Sequence, residues 1–190
     1  LYRYAVLVGT GTFLTSLIGA WETSLRAAPG ASYSGIASVH LDLGFAVVAL
    51  TIILALWLVK AGLKALGWLC LAAVIAEGAL GQTTAVVTHA AVAQILFALA
   101  VGATVCTSSA WSRGPEIVLD QGWPSLRSLS TITPVFVVGQ IVAGAAFRHK
   151  EMGLTWHIVG AMVVSLLVLI LGMFVMQQFP QHKALRPAAI

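Results

Sequence analysis

Apolar residues in this chain fall in long unbroken runs, separated by short polar turns, with no apolar–polar alternation. Six such runs can be drawn, at roughly residues 4–22, 39–59, 66–83, 86–106, 132–147 and 156–177, each near the ~20 residues that carry a helix across ~30 Å of hydrocarbon. Continuous runs argue against the strands of a membrane barrel, which alternate. The third and fifth are short and rich in glycine and alanine, and are inferred from their neighbours. The pattern predicts an all-α integral membrane protein with six transmembrane helices.

Composition agrees with the pattern. Hydrophobic residues make up 59% and charged residues 8% of the chain, with a mean hydropathy of +0.98, whereas about a quarter of a soluble domain is charged. Basic residues set the expected orientation. With the N-terminus inside, the inner segments hold Arg3, Lys60, Lys64, Arg113, Arg127, Lys183 and Arg186, and the outer segments hold Arg26, Arg148 and Lys150. Both termini are then cytoplasmic, with a bacterial inner membrane as the expected location. The net charge of +4 follows from this asymmetry, and no basic, aromatic-interleaved surface outside the spans calls for nucleic acid. Cys70 and Cys106 fall at cytoplasmic helix ends and form no CxxC pair, which argues against a disulfide, zinc or iron–sulfur site. The chain opens on Leu1 without a cleavable signal pattern and reads as a processed chain or a piece of a longer one.

Two structural units are expected. Residues 1–106 form a four-helix transmembrane unit, 107–131 a cytoplasmic-side connecting loop, and 132–190 a two-helix partial second unit with a basic tail. A faint repeat supports the division. Gly19-Ala20-Trp21-Glu22-Thr23 closes the first span, and an outer loop then leads to His40. Gly144-Ala145-Ala146-Phe147-Arg148 closes the fifth, and a shorter outer loop leads to His157.

The histidines carry the candidate chemistry. His40, His89 and His157 each sit just inside the start of an apolar run, all on the outer side and at similar depth. Three neutral imidazoles at one level of a helical membrane bundle suit heme iron. A four-helix bundle can set its second and fourth helices diagonally, placing His40 and His89 on opposite faces of one porphyrin. Gly44, Ala90 and Ala93 would leave room for the ring, and Phe45 and Phe97 could pack on its edges. The plainer alternative is a set of interfacial histidines that satisfy backbone carbonyls. His157 resembles the other two sites but lacks a partner; His149 or a second copy of the chain could supply one. Arg148, beside His149 and Lys150, could anchor heme propionates or simply snorkel to the interface. His182 lies in the basic tail. Glu22, Asp42 and Glu77 lie in or beside spans, where a carboxylate needs water or a partner.

At these residues the chain resembles the heme A synthases. Glu77-Gly78-Ala79-Leu80-Gly81-Gln82-Thr83-Thr84 is similar to that family's QGxLGGxTV stretch. His89-Ala90-Ala91-Val92-Ala93-Gln94-Ile95-Leu96-Phe97-Ala98 is similar to its HLxLAxxFFA helix start, and Gln140 to His149 to its QxxxGAxVRH signature. The resemblance implies four-helix halves with a histidine opening the second and fourth helix of each. It further implies oxidation of a heme O methyl group to the formyl group of heme A, with a b-type heme as redox cofactor. His40 and His89 would flank the heme of the first half, and His157 would be one ligand in the second. Three features depart from the family. Ala37 stands where it usually has a glutamate, residues 27–38 carry no cysteine pair, and no seventh or eighth helix follows within these residues. Two classes of function are therefore expected: a heme A synthase-type oxidoreductase, or a non-catalytic heme-carrying or structural subunit of a larger respiratory or photosynthetic complex. The expected cofactor is a b-, o- or a-type heme, and the expected surroundings are membrane lipid and other subunits.

Overall fold

The computed structural model describes residues 1–114, 119–120, 122–182 and 185. Seven helices account for most of them: α1 (Tyr2–Ala27), α2 (Ser34–Lys60), α3 (Lys64–Leu80), α4 (Val86–Cys106), the single-turn α5 (Ser109–Ser112), α6 (Leu126–Arg148) and α7 (Leu154–Gln178). No strand occurs among the described residues. Five helices, α1, α2, α4, α6 and α7, are long and apolar enough to cross a membrane. At 17 residues α3 is shorter, about 25 Å at ~1.5 Å per residue. The chain is thus an all-helical membrane protein that divides into two compact units, Leu1–Pro115 and Glu116–Ile190.

Unit 1 is a ring of four helices. α1 packs against α2 and α4, and α3 packs against the same two, which leaves α2 and α4 on a diagonal. Its tightest packing joins Ala5 and Val8 of α1, Leu54, Ala55 and Leu58 of α2, Cys70 of α3, and Ala100 and Ala103 of α4. These residues come from the start of α1 and α3 and the end of α2 and α4, so they form one closed end of the bundle. Small side chains here let backbones approach, the usual basis of helix association in lipid. The α2–α3 turn depends on Gly62, whose φ of +87° suits glycine and disfavours side chains. Beyond it, a Cβ on Gly67 would come within 2.7 Å of the Ala55 carbonyl oxygen.

The other end of the bundle is pinned differently. Arg26 donates to Glu22 Oε1 through Nη2 at 2.6 Å and Nε at 2.9 Å, and its guanidinium lies 4.5 Å over the Tyr33 ring. This ties the end of α1 to the start of α2. α2 consequently begins at Ser34, well before the apolar run that opens near residue 39, because Ser34 to Ser38 are compatible with helix while being only partly apolar.

Unit 2 is a helical hairpin of α6 and α7. α6 also starts before its apolar run, at Leu126, fixed by a reciprocal cap. The Ser128 N–H donates to Ser125 Oγ and the Ser125 N–H to Ser128 Oγ, both at 3.0 Å, while Asp120 Oδ2 accepts from the Leu126 N–H. Such caps satisfy the free donors of a first turn. α7 is the barest helix: 6% of its most apolar window is buried, against 17–28% for the other four long apolar helices.

Candidate functional site

At the open end of unit 1, His40 of α2 faces His89 of α4. Their ring centroids are 6.4 Å apart and their planes are nearly perpendicular, at 82°. The diagonal placement of α2 and α4 makes this possible, since neither helix stands between the two rings.

Each ring rests on the helix that precedes its own. The His40 imidazole lies against Gly19 of α1, where a Cβ would come within 2.7 Å of its Cε1. Its Nδ1 is 3.2 Å from the Thr15 carbonyl oxygen, one helical turn before that glycine. His89 lies beside Gly81 at the end of α3, with Cε1 3.6 Å from where a Cβ would be. Its Nδ1 is 3.1 Å from Glu77 Oε1, again one turn before the glycine. That approach is oblique, so His89 Nδ1 and Glu77 Oε2 make no formed hydrogen bond.

Unit 2 repeats the arrangement. His157 of α7 lies against Gly144 of α6, its Cε1 3.1 Å from a Cβ built there, and its Nδ1 is 3.0 Å from Gln140 Nε2, one turn earlier. Gln140 Nε2 also donates to the His157 carbonyl at 2.9 Å, and the ring stacks on Phe147 at 5.4 Å with planes 6° apart. The far side of His157 lines an open groove along α7 with Ala161, Met162 and Ser165.

Three hairpins, α1–α2, α3–α4 and α6–α7, therefore share one device. A glycine on the first helix receives the imidazole of the second, and the residue four before it meets Nδ1. The pairs are Thr15 with Gly19, Glu77 with Gly81, and Gln140 with Gly144. For His40 the Thr15 carbonyl can only accept, so Nδ1 carries the proton and Nε2 is the nitrogen with the free lone pair, the arrangement commonly found behind metal-bound histidines. His157 differs: Gln140 Nε2 can only donate and is fixed by its second bond to the His157 carbonyl, so Nδ1 accepts and the ring's proton sits on Nε2.

Other expected site residues fall elsewhere. A Cβ on Gly44 would meet nothing within 4 Å, so space is open one turn below His40. Phe97 packs on Phe13 of α1, centroids 5.6 Å apart, whereas Phe45 is 63% exposed and does not line the site. Glu22 is taken up by Arg26, and Asp42 is exposed. Arg148 ends α6 in unit 2 and is exposed. The roles of Thr15, Gly19 and Gly144 at the rings were not read from the sequence. Their signal was present in the repeated glycine that precedes each histidine-bearing helix.

No group of three or more His, Cys, Asp or Glu side chains able to hold a metal ion occurs among the described residues. Two imidazoles alone give an ion only two protein ligands, so any metal between them must bring the rest of its coordination sphere with it. With metal–nitrogen bonds of about 2 Å, an ion held between two imidazoles sets their centroids roughly 6 Å apart, close to the observed separation. An iron porphyrin, with four nitrogens in a plane and two open axial positions, fits this donor set.

These features define a class: helical membrane proteins built from histidine-bearing hairpins, two of which close into a bundle around an imidazole pair. Comparison of the chain with protein-family models, with curated proteins and with solved structures finds no match in any of the three.

Proposed function

We propose that this chain is a membrane heme protein of the heme A synthase type, with one heme held between His40 and His89 in unit 1. The observation that carries the reading is the imidazole pair itself: rings 6.4 Å apart, with His40 Nδ1 held by the Thr15 carbonyl and His89 Nδ1 3.1 Å from Glu77 Oε1. His40 and His89 would hold the heme, which would supply one-electron transfer when bound. The role of this chain's residues is to hold the two rings, with Gly19 and Gly81 giving each a flat seat and Gly44 leaving space one turn below. In the full reading the reaction is oxidation of a heme O methyl group to a formyl group. α3 also crosses the membrane as a sixth span, both termini are cytoplasmic, and the histidine end of the bundle faces outward in a bacterial inner membrane.

A second reading is a heme-carrying subunit without catalysis of its own, favoured by Ala37, which puts a methyl group where the family has a carboxylate. Optical spectra of the oxidised and reduced protein, with extraction and mass analysis of the heme, test both. Heme O, an oxidised derivative or heme A supports the synthase, and b-type heme alone supports the electron-transfer subunit. His40→Ala and His89→Ala should each abolish the same low-spin signal, and His182→Ala should leave it intact. A full bis-histidine spectrum in either of the first two variants would rule out the pairing.

A further inference from the structure

Each seated ring meets a different partner at Nδ1, and one of the three partners is an acid. His40 faces the backbone carbonyl of Thr15 and His157 faces the amide of Gln140, both neutral. His89 faces the carboxyl group of Glu77, with Nδ1 3.1 Å from Oε1. The Glu77 side chain is 16% exposed, and its Oε2 is buried without a hydrogen bond. Among the described residues Glu77 pairs with no lysine or arginine, and its ion-pair partner is His89. The two other acids at this end are placed differently: Glu22 is tied to Arg26 and Asp42 is exposed.

A carboxylate in an apolar bundle needs a partner, and the one within reach of Glu77 is an imidazole nitrogen. When His89 offers Nε2 to a metal, its proton is on Nδ1, and the carboxylate can accept it. The approach is oblique as it stands, so only direction is lacking. The last torsion of a glutamate side chain is broad, and a turn of the carboxyl group brings an oxygen into line.

We propose that Glu77 is a positioning residue that acts on the bound heme through His89, making His89 the more basic of the two axial imidazoles and lowering the midpoint potential of the heme. This rests on the heme reading of unit 1 and deepens it. A carboxylate that accepts from Nδ1–H raises the basicity of the ligating nitrogen. Second-shell hydrogen bonds and burial are levers by which a protein sets a heme potential, and both are present at His89. A more basic ligand and a nearby negative charge favour the oxidised iron, which carries one more positive charge than the reduced. Thr15 gives His40 a neutral acceptor, so the two ligands are unequal.

Gln140 shows that a glutamine is accommodated at this place in a hairpin, where it spans the ring and the backbone carbonyl of His157. Glu77→Gln therefore removes the charge at nearly constant volume, and Glu77→Leu removes it with an apolar group of similar bulk. The heme of each full-length protein is titrated optically against potential. In both variants the reduced-to-oxidised ratio at a fixed potential should rise about tenfold, a midpoint higher by about 59 mV for one electron. The low-spin electron paramagnetic resonance g values, which report axial-ligand strength, should shift with it, while heme content stays as in the wild type. An unchanged or lowered midpoint at full heme content overturns the proposal. A raised midpoint with unchanged g values overturns the route through His89. Loss of heme from Glu77→Gln with helical content intact also overturns it, since Glu77 would then hold the group rather than tune it. Failure of the unit 1 reading is seen separately, as a low-spin signal that survives His40→Ala.

Discussion

A neutral imidazole binds a metal only through the nitrogen that carries no proton, so the partner of the other nitrogen decides which one is offered. His40 Nδ1, facing the Thr15 carbonyl, must be the protonated nitrogen, because a carbonyl can only accept. The ring has little freedom to move away, since it is seated against the bare Cα of Gly19. A Gly19→Ala methyl would stand 2.7 Å from Cε1, too close to be accommodated without displacing the ring. Overpacking of this kind costs about 1–3 kcal/mol, so heme affinity should fall roughly tenfold or more in this variant with the bundle still folded, as read by heme titration and helical content. Glu77→Ala should weaken heme retention less, because the oblique contact to His89 contributes less than a formed hydrogen bond. Equal losses in the two variants would argue that the Gly19 seat has no special role. The three histidines were legible in the sequence because ionisable groups are rare in apolar runs. The seats were not, since a glycine in a membrane helix has many uses and only contact with a ring from another helix singles one out.

Helix positions were largely legible from hydropathy, and helix ends were not. Hydropathy marks where the hydrocarbon begins, while a helix continues into the interface until its backbone groups find other partners. α2 and α6 both extend outward past their apolar runs, one tied by Arg26 over Tyr33 and the other capped by Ser125 and Ser128. His40 is accordingly the seventh residue of α2, deeper in its helix than the run suggested. It still meets His89 because α4 lies across the same open end. At the closed end the α2–α3 hairpin depends on backbone proximity. Gly67→Ala would drive a methyl into the Ala55 carbonyl oxygen, a backbone atom that cannot swing aside as a side chain can. We expect a loss of about 1–3 kcal/mol in bundle stability, measured as a lower thermal midpoint in detergent. The heme spectrum below that midpoint should be unchanged, because the histidines lie at the opposite end.

For the molecule as a whole, the distribution of Lys and Arg makes orientation testable. A cysteine at Ser32, in the α1–α2 connection, should react with a membrane-impermeant thiol reagent from outside intact cells. One at Ser112, in α5, should react only after the membrane is opened. Both are placed in a Cys106→Ser background; Cys70 is buried in the bundle. Labelling in the reverse order would invert the topology and place the histidine end inside. The repeat was read from the sequence as two copies, ending in His40 and His157. The structure reveals a third, α3–α4, whose loop is too short to resemble the others in sequence.

The hairpin device has a consequence for how such proteins can grow. Glycine, Nδ1 partner and histidine all lie within two consecutive helices, so duplicating the segment that encodes them duplicates a positioned ligand in one event. Imidazoles placed this way come singly, while the diagonal arrangement of unit 1 brings them together in twos. Each added hairpin then supplies one more seated ring, and which ring it faces is decided by how the hairpins close on one another.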